Sequence, residues 1–198
     1  MSASEDGNGA LRRRGFVLEF ATLGWNVVGV GVLAVLALSA SSVALAGFGL
    51  DSLIEIGASV VVIWELSGSG DDRQHRALRL IGFAFVALAL YLFVQSSVAL
   101  VSQHHAHPGV GAIAWTALTA VVMFALAAGK YRTGRALGNP VLTTEARVTF
   151  IDGILAVSVL VAVLLDVYLG WWWADALAGY LIVFYAAREA RQIFIVKR

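Results

Sequence analysis

The chain has 198 residues, 60% of them hydrophobic and only 14% charged, with a mean hydropathy of +0.82. A soluble domain of this size needs far more polar surface, so its solvent is lipid. Cysteine is absent, which excludes disulfides, thiolate metal sites and cysteine nucleophiles. The net charge of +1 says little until the charges are placed along the chain.

Met1–Ala10 is small and polar and is expected to be disordered. It belongs to an N-terminal arm over residues 1–15 that ends in Arg12, Arg13 and Arg14. An apolar run then extends from Phe16 to about Leu38, well beyond the ~7–15 residues of a signal-peptide core, so it is expected to stay as a helix. A span of ~20 apolar residues crosses the hydrocarbon core. Six fit, at about 16–38, 43–66, 77–102, 109–129, 141–169 and 171–194, and together they make one transmembrane domain over residues 16–198. The links SASS, SGSGDDRQHR, QHHAHP, KYRTGRALGNP and LGWWW carry turn chemistry. The spans lack the alternation of barrel strands, so the predicted fold class is all-α, a polytopic protein of six transmembrane helices.

Lysine and arginine orient it. They fall in the N-terminal arm, in the second link (Arg73, Arg76, Arg79), in the fourth (Lys130, Arg132, Arg135, with Arg147 just beyond) and at the C-terminal end (Arg188, Arg191, Lys197, Arg198). The first, third and fifth links have none. Both termini and the even-numbered links are therefore expected in the cytoplasm of a multi-pass cell-membrane protein. Trp171, Trp172 and Trp173 suit the opposite interface. Gly, Ala and Ser in the first, second and sixth helices allow close packing.

Acids inside a span are functional candidates, because lipid makes them costly. Glu19, Glu65, Asp166 and Asp175 lie near span ends, where water or headgroups can solvate them. Asp51 and Glu55 sit in the middle third of the second helix, four residues apart on one face and about 6 Å apart along the axis. Asp152 lies at a similar depth in the fifth, so the three carboxylates converge if the two helices touch. The nearest basic residue by sequence is Arg147, roughly 7.5 Å closer to the cytoplasm, so a cation must visit: a proton, a metal ion or both. The competing reading is that the acids are protonated hydrogen-bonding glue between helices. Asn26 is expected to make an interhelical hydrogen bond or to face the site. Glu145, on nearly the face of Asp152, either lines an inner vestibule or is solvated or paired with Arg147. His104, His105 and His107 read as a solvated polar loop, with metal gathering as the alternative.

These residues resemble the cation diffusion facilitator family of proton-coupled metal transporters. Ser42–Ser59, SVALAGFGLDSLIEIGAS, looks like its second-helix signature, with Asp51 and Glu55 at the two ligand positions. Thr144–Gly153, TEARVTFIDG, resembles its fifth-helix motif, with Asp152 at the second ligand position, and Trp173–Ala176, WADA, looks like the opening of its sixth helix. Asn26 falls where the family often has asparagine. Two departures stand out: Val148 occupies the other fifth-helix ligand position, usually His or Asp, and Glu55 stands where Asp is usual. The resemblance implies a short form without the cytoplasmic domain most members carry, and a homodimer formed through the membrane helices.

The expected function is transport of a divalent cation, zinc foremost and manganese, cobalt or iron next, out of the cytoplasm in exchange for protons. Asp51, Glu55 and Asp152 are its expected ligands, with Asn26 and Glu145 as accessories. No resident cofactor, enzymatic activity or nucleic-acid partner is expected. An intramembrane hydrolase would need an apparatus such as H-E-x-x-H, and no histidine lies in a span. A non-transporting scaffold with a degenerate site is the other alternative.

Overall fold

A computed structural model describes residues 2–40, 43–67, 71–103 and 109–195. Its elements are α1 (Ser2–Ala40), α2 (Val43–Leu66), α3 (Asp71–Ser102), α4 (Val110–Leu137), α5 (Pro140–Leu169) and α6 (Ala174–Ile195). Over Asn8–Ala40, His75–Ser102, Val110–Leu137 and Pro140–Leu169 the helices are long and apolar enough to cross a membrane. The chain is thus an all-helical, polytopic membrane protein.

Polarity is distributed as lipid demands. Large apolar side chains such as Phe20, Leu38, Phe83 and Val121 point outward, while Thr22, Asn26, Ser59, Thr116 and Thr149 are buried. Along α1 the buried positions are Gly15, Glu19, Thr22, Asn26, Gly29, Leu33, Ala37 and Ala40. That alternation of three- and four-residue steps is one helical stripe turned to the neighbouring helices. With no water in the hydrocarbon, a polar side chain on such a stripe finds partners only inside the bundle.

The helices pack α1 on α2, α3 on α6 and α4 on α5, and α5 also touches α2, α3 and α6. It is the most enclosed of the four long apolar helices. Small residues permit the close approaches: a Cβ on Gly153 of α5 would stand 2.9 Å from the Phe124 ring of α4.

Several boundaries differ from the sequence expectation. Helix begins at Ser2, where composition suggests an irregular arm, and the Arg12 guanidinium donates to the Leu66 carbonyl at the end of α2. An arginine there satisfies a carbonyl the helix cannot. The fourth link shrinks to Gly138 and Asn139, because Lys130–Leu137 are adequate helix formers and simply prolong α4. Gly138 ends that helix at φ +61°, and the Asn139 side chain accepts from the Val141 and Leu142 N–H groups, both at 2.9 Å, to start α5 with Pro140 in its first turn. Trp171–Trp173 form the turn before α6, with the Trp171 and Trp173 rings stacked at 5.2 Å.

Candidate cation site

The inward stripes of α2 and α5 bring their acids to the centre of the bundle. Asp51, Glu55 and Asp152 are each no more than 3% exposed. Asp51 and Asp152 lie within hydrogen-bonding reach of one another across the α2–α5 contact. Neither Asp152 oxygen is met by a donor group from the protein. Two facing carboxylates have only acceptors to offer, so a shared proton or a cation is what can hold them together.

Glu55 is turned elsewhere. Its Oε1 accepts from the Thr149 hydroxyl at 2.6 Å. Among the described residues no three acidic or imidazole side chains are gathered closely enough to enclose an ion as they stand. Val148, one turn before Asp152, is buried in the apolar core.

Arg147 is the nearest basic residue to Asp152 by sequence, but a cation not foreseen there, Lys130, is buried on the arginine-rich side of the three carboxylates. Lys130 is fully buried, and its ammonium lies 2.6 Å from Glu145 Oε1, 2.5 Å from Glu145 Oε2, 3.1 Å from Glu19 Oε2 and 3.0 Å from the Thr149 hydroxyl. Glu19 is also fully buried, although its position suggested solvation at a span end. Glu145 pairs with Lys130, while Arg147 points to the exposed side of α5. The reason is the extension of α4: Lys130 belongs to the helix and not to a link. A signal was present in the sequence. Ala112, Thr116, Thr119, Met123 and Ala127 form the buried stripe of α4, and Lys130 is its next position.

The polar interior is therefore continuous. Glu19, Lys130 and Glu145 lie toward the arginine-rich end of the bundle. Thr149 and Glu55 come next, and the Asp51–Asp152 pair follows, about 10 Å beyond Glu145 along α5. Asn26 is buried but donates to the Thr22 carbonyl of its own helix at 3.1 Å. Glu65 is buried at the arginine-rich end and accepts from the Asn139 side chain at 3.1 and 3.3 Å. His104, His105 and His107, and the side chain of Asp175, lie outside the described residues.

Buried carboxylates and a threonine hydroxyl form an all-oxygen donor set, which suits hard and borderline divalent cations. No curated protein matches the chain. Residues 79–197, more than half of it, match the family model of the cation efflux transmembrane domain. The match takes in α4 to α6 and most of α3, hence Lys130, Glu145, Thr149 and Asp152, but not Asp51 or Glu55. The chain belongs to the cation diffusion facilitator family and is a multi-pass membrane transporter of metal cations.

Proposed function

We propose that this protein exports a divalent cation, zinc foremost, from the cytoplasm in exchange for protons, with Asp51, Glu55 and Asp152 as its ligands. The observation that carries the reading is Asp152: a buried carboxylate in mid-bundle, facing Asp51, with no protein donor on either oxygen. Water or a backbone oxygen completes the shell where Val148 offers nothing. Metal binds the ionised carboxylates, and protons arriving from the outer side displace it, because metal binding and proton release are linked. Zinc comes first from the family. The all-oxygen donor set leans toward manganese, with cobalt and iron behind it.

The orientation follows from length and charge. At about 1.5 Å per residue, α2 and α6 reach about 36 and 33 Å with their 24 and 22 residues. That is enough for a core of about 30 Å, giving six spans within residues 16–198. The arginine-rich end, with both termini, faces the cytoplasm of the cell membrane. Small-residue faces on the helices carry a homodimer interface.

The deciding experiment reconstitutes the protein in liposomes with a zinc indicator and a pH indicator inside, and adds competing ions. Zinc entry with stoichiometric loss of lumenal protons is expected, and Asp152→Asn should abolish both signals. Zinc flux without proton flux would refute exchange. Undiminished flux in Asp152→Asn would refute the ligand assignment, and no flux at all would favour the scaffold reading.

A further inference from the structure

Lys130 sits in the interior of a transporter of cations, surrounded by oxygens as a transported ion would be. An ammonium has three N–H donors; here it hydrogen-bonds Glu145 and the Thr149 hydroxyl, and Glu19 Oε2 stands 3.1 Å away as an ion-pair partner. Its oxygen neighbours lie at 2.5–3.1 Å, little more than the ~2.0–2.6 Å of a divalent ion bound by oxygens. The elements that supply them are separate, with Glu19 on α1, Lys130 on α4, and Glu145 and Thr149 on α5. Removing the ammonium would leave two fully buried carboxylates converging on one point without a counter-charge.

Thr149 links this centre to the ion pathway. Its oxygen accepts from Lys130, and its single hydrogen goes to Glu55 at 2.6 Å in preference to Glu145 at 3.3 Å. A hydroxyl polarised by an ammonium donates more strongly, so the contact with Glu55 is reinforced by the charge behind it. The result is that Glu55 is oriented toward α5 at Thr149, away from a three-carboxylate shell with Asp51 and Asp152.

The geometry points to a second cation shell, built of Glu19, Glu145 and the Thr149 hydroxyl, that the chain fills with its own Lys130 ammonium and that holds Glu55 off the Asp51–Asp152 pair through Thr149. The first half of this inference stands on the Lys130 contacts alone, and the second rests on the ligand set proposed above. Lys130 is thus a positioning residue: it occupies the inner shell so that a divalent ion does not lodge there, and it sets the resting orientation of a ligand. Metal arriving at Asp51 and Asp152 must draw Glu55 from Thr149.

The test counts ions. The full-length protein, purified in detergent, is titrated with Mn²⁺ and with Zn²⁺ by calorimetry, with Mn²⁺ also followed by electron paramagnetic resonance. Lys130→Met should bind one divalent ion more than the unmodified protein, and the gain should persist in an Asp51→Asn background. Lys130→Arg, which keeps the charge, should show no gain. A Lys130→Met protein of native helicity and elution volume with no additional ion would overturn the second shell. Should that variant fail to fold, Thr149→Val decides, since it keeps every charge. Releasing Glu55 should tighten zinc binding at least ~10-fold, which is about 1.4 kcal/mol, and unchanged or weaker binding would overturn the inference. The two readings fail separately. If the unmodified protein binds no ion and Lys130→Met binds one, the proposed ligand set falls while the second shell stands. If both bind the same single ion, the second shell falls alone.

Discussion

Replacing Asn139 by alanine should cost about 3 kcal/mol, because this side chain does two jobs at the turn between α4 and α5. Its oxygen accepts from the Val141 and Leu142 N–H groups at 2.9 Å, and loss of such a helix cap costs about 0.5–2 kcal/mol. Its amide nitrogen donates to both oxygens of Glu65 at 3.1 and 3.3 Å. Glu65 is only 5% exposed, and a buried acceptor deprived of its donor costs about 1–3 kcal/mol. Asn139→Ser separates the two effects, since its hydroxyl keeps a helix cap but lacks the amide that donates to Glu65. The assay is unfolding in mixed micelles with rising mole fraction of dodecyl sulfate, followed by far-ultraviolet circular dichroism, as a double-mutant cycle with Glu65→Leu. In the Glu65→Leu background Asn139→Ala should cost only the cap, about 1 kcal/mol. An equal cost in both backgrounds would refute the idea that Asn139 ties α2 to the α4–α5 hairpin.

The other predictions concern the site and its packing. Asp51→Ala and Asp152→Ala should each abolish metal uptake into proteoliposomes while leaving expression and elution volume near native, since a buried unpaired charge carries a desolvation cost. Val148→His places an imidazole one turn from Asp152. It should raise the ratio of zinc to manganese affinity about tenfold by calorimetry; an unmoved ratio would mean that residue 148 does not reach the ion. Gly134→Ala puts a Cβ 2.9 Å from the Thr143 backbone nitrogen and 3.2 Å from the Leu142 carbonyl carbon. Backbone cannot yield as a side chain does, so overpacking of about 1–3 kcal/mol should outweigh the ~1 kcal/mol alanine gains in a helix, lowering the dodecyl sulfate midpoint.

Composition by itself determined the class of protein, because 60% hydrophobic residues with 14% charged leave too little polar surface for water. The length of the apolar runs and the turn residues between them located the six helices of the described residues, since helix is the one open-ended way to satisfy a backbone in lipid and Gly-Asn-Pro is a strong stop and start. Asp51, Glu55 and Asp152 stood out as candidates, being acids where hydropathy allows none, and the structure buries all three. Boundaries were less legible. Hydropathy ends at Gly129, but a helix ends where its hydrogen-bonding pattern does, and α4 continues to Leu137.

Only the tertiary structure decided which charges meet. Glu19, Lys130, Glu145 and Glu55 are far apart in the chain, on α1, α4, α5 and α2. Nothing local tells a lysine that snorkels to the interface from one that turns inward to four oxygens. That choice depends on the rotation of each helix about its own axis, and the rotation is set by packing against several neighbours at once. The sequence could place Lys130 on the inward stripe of its helix, but its partners are supplied by other helices. The same holds for Glu55, whose turn toward Thr149 depends on a hydroxyl held by an ammonium from a third helix.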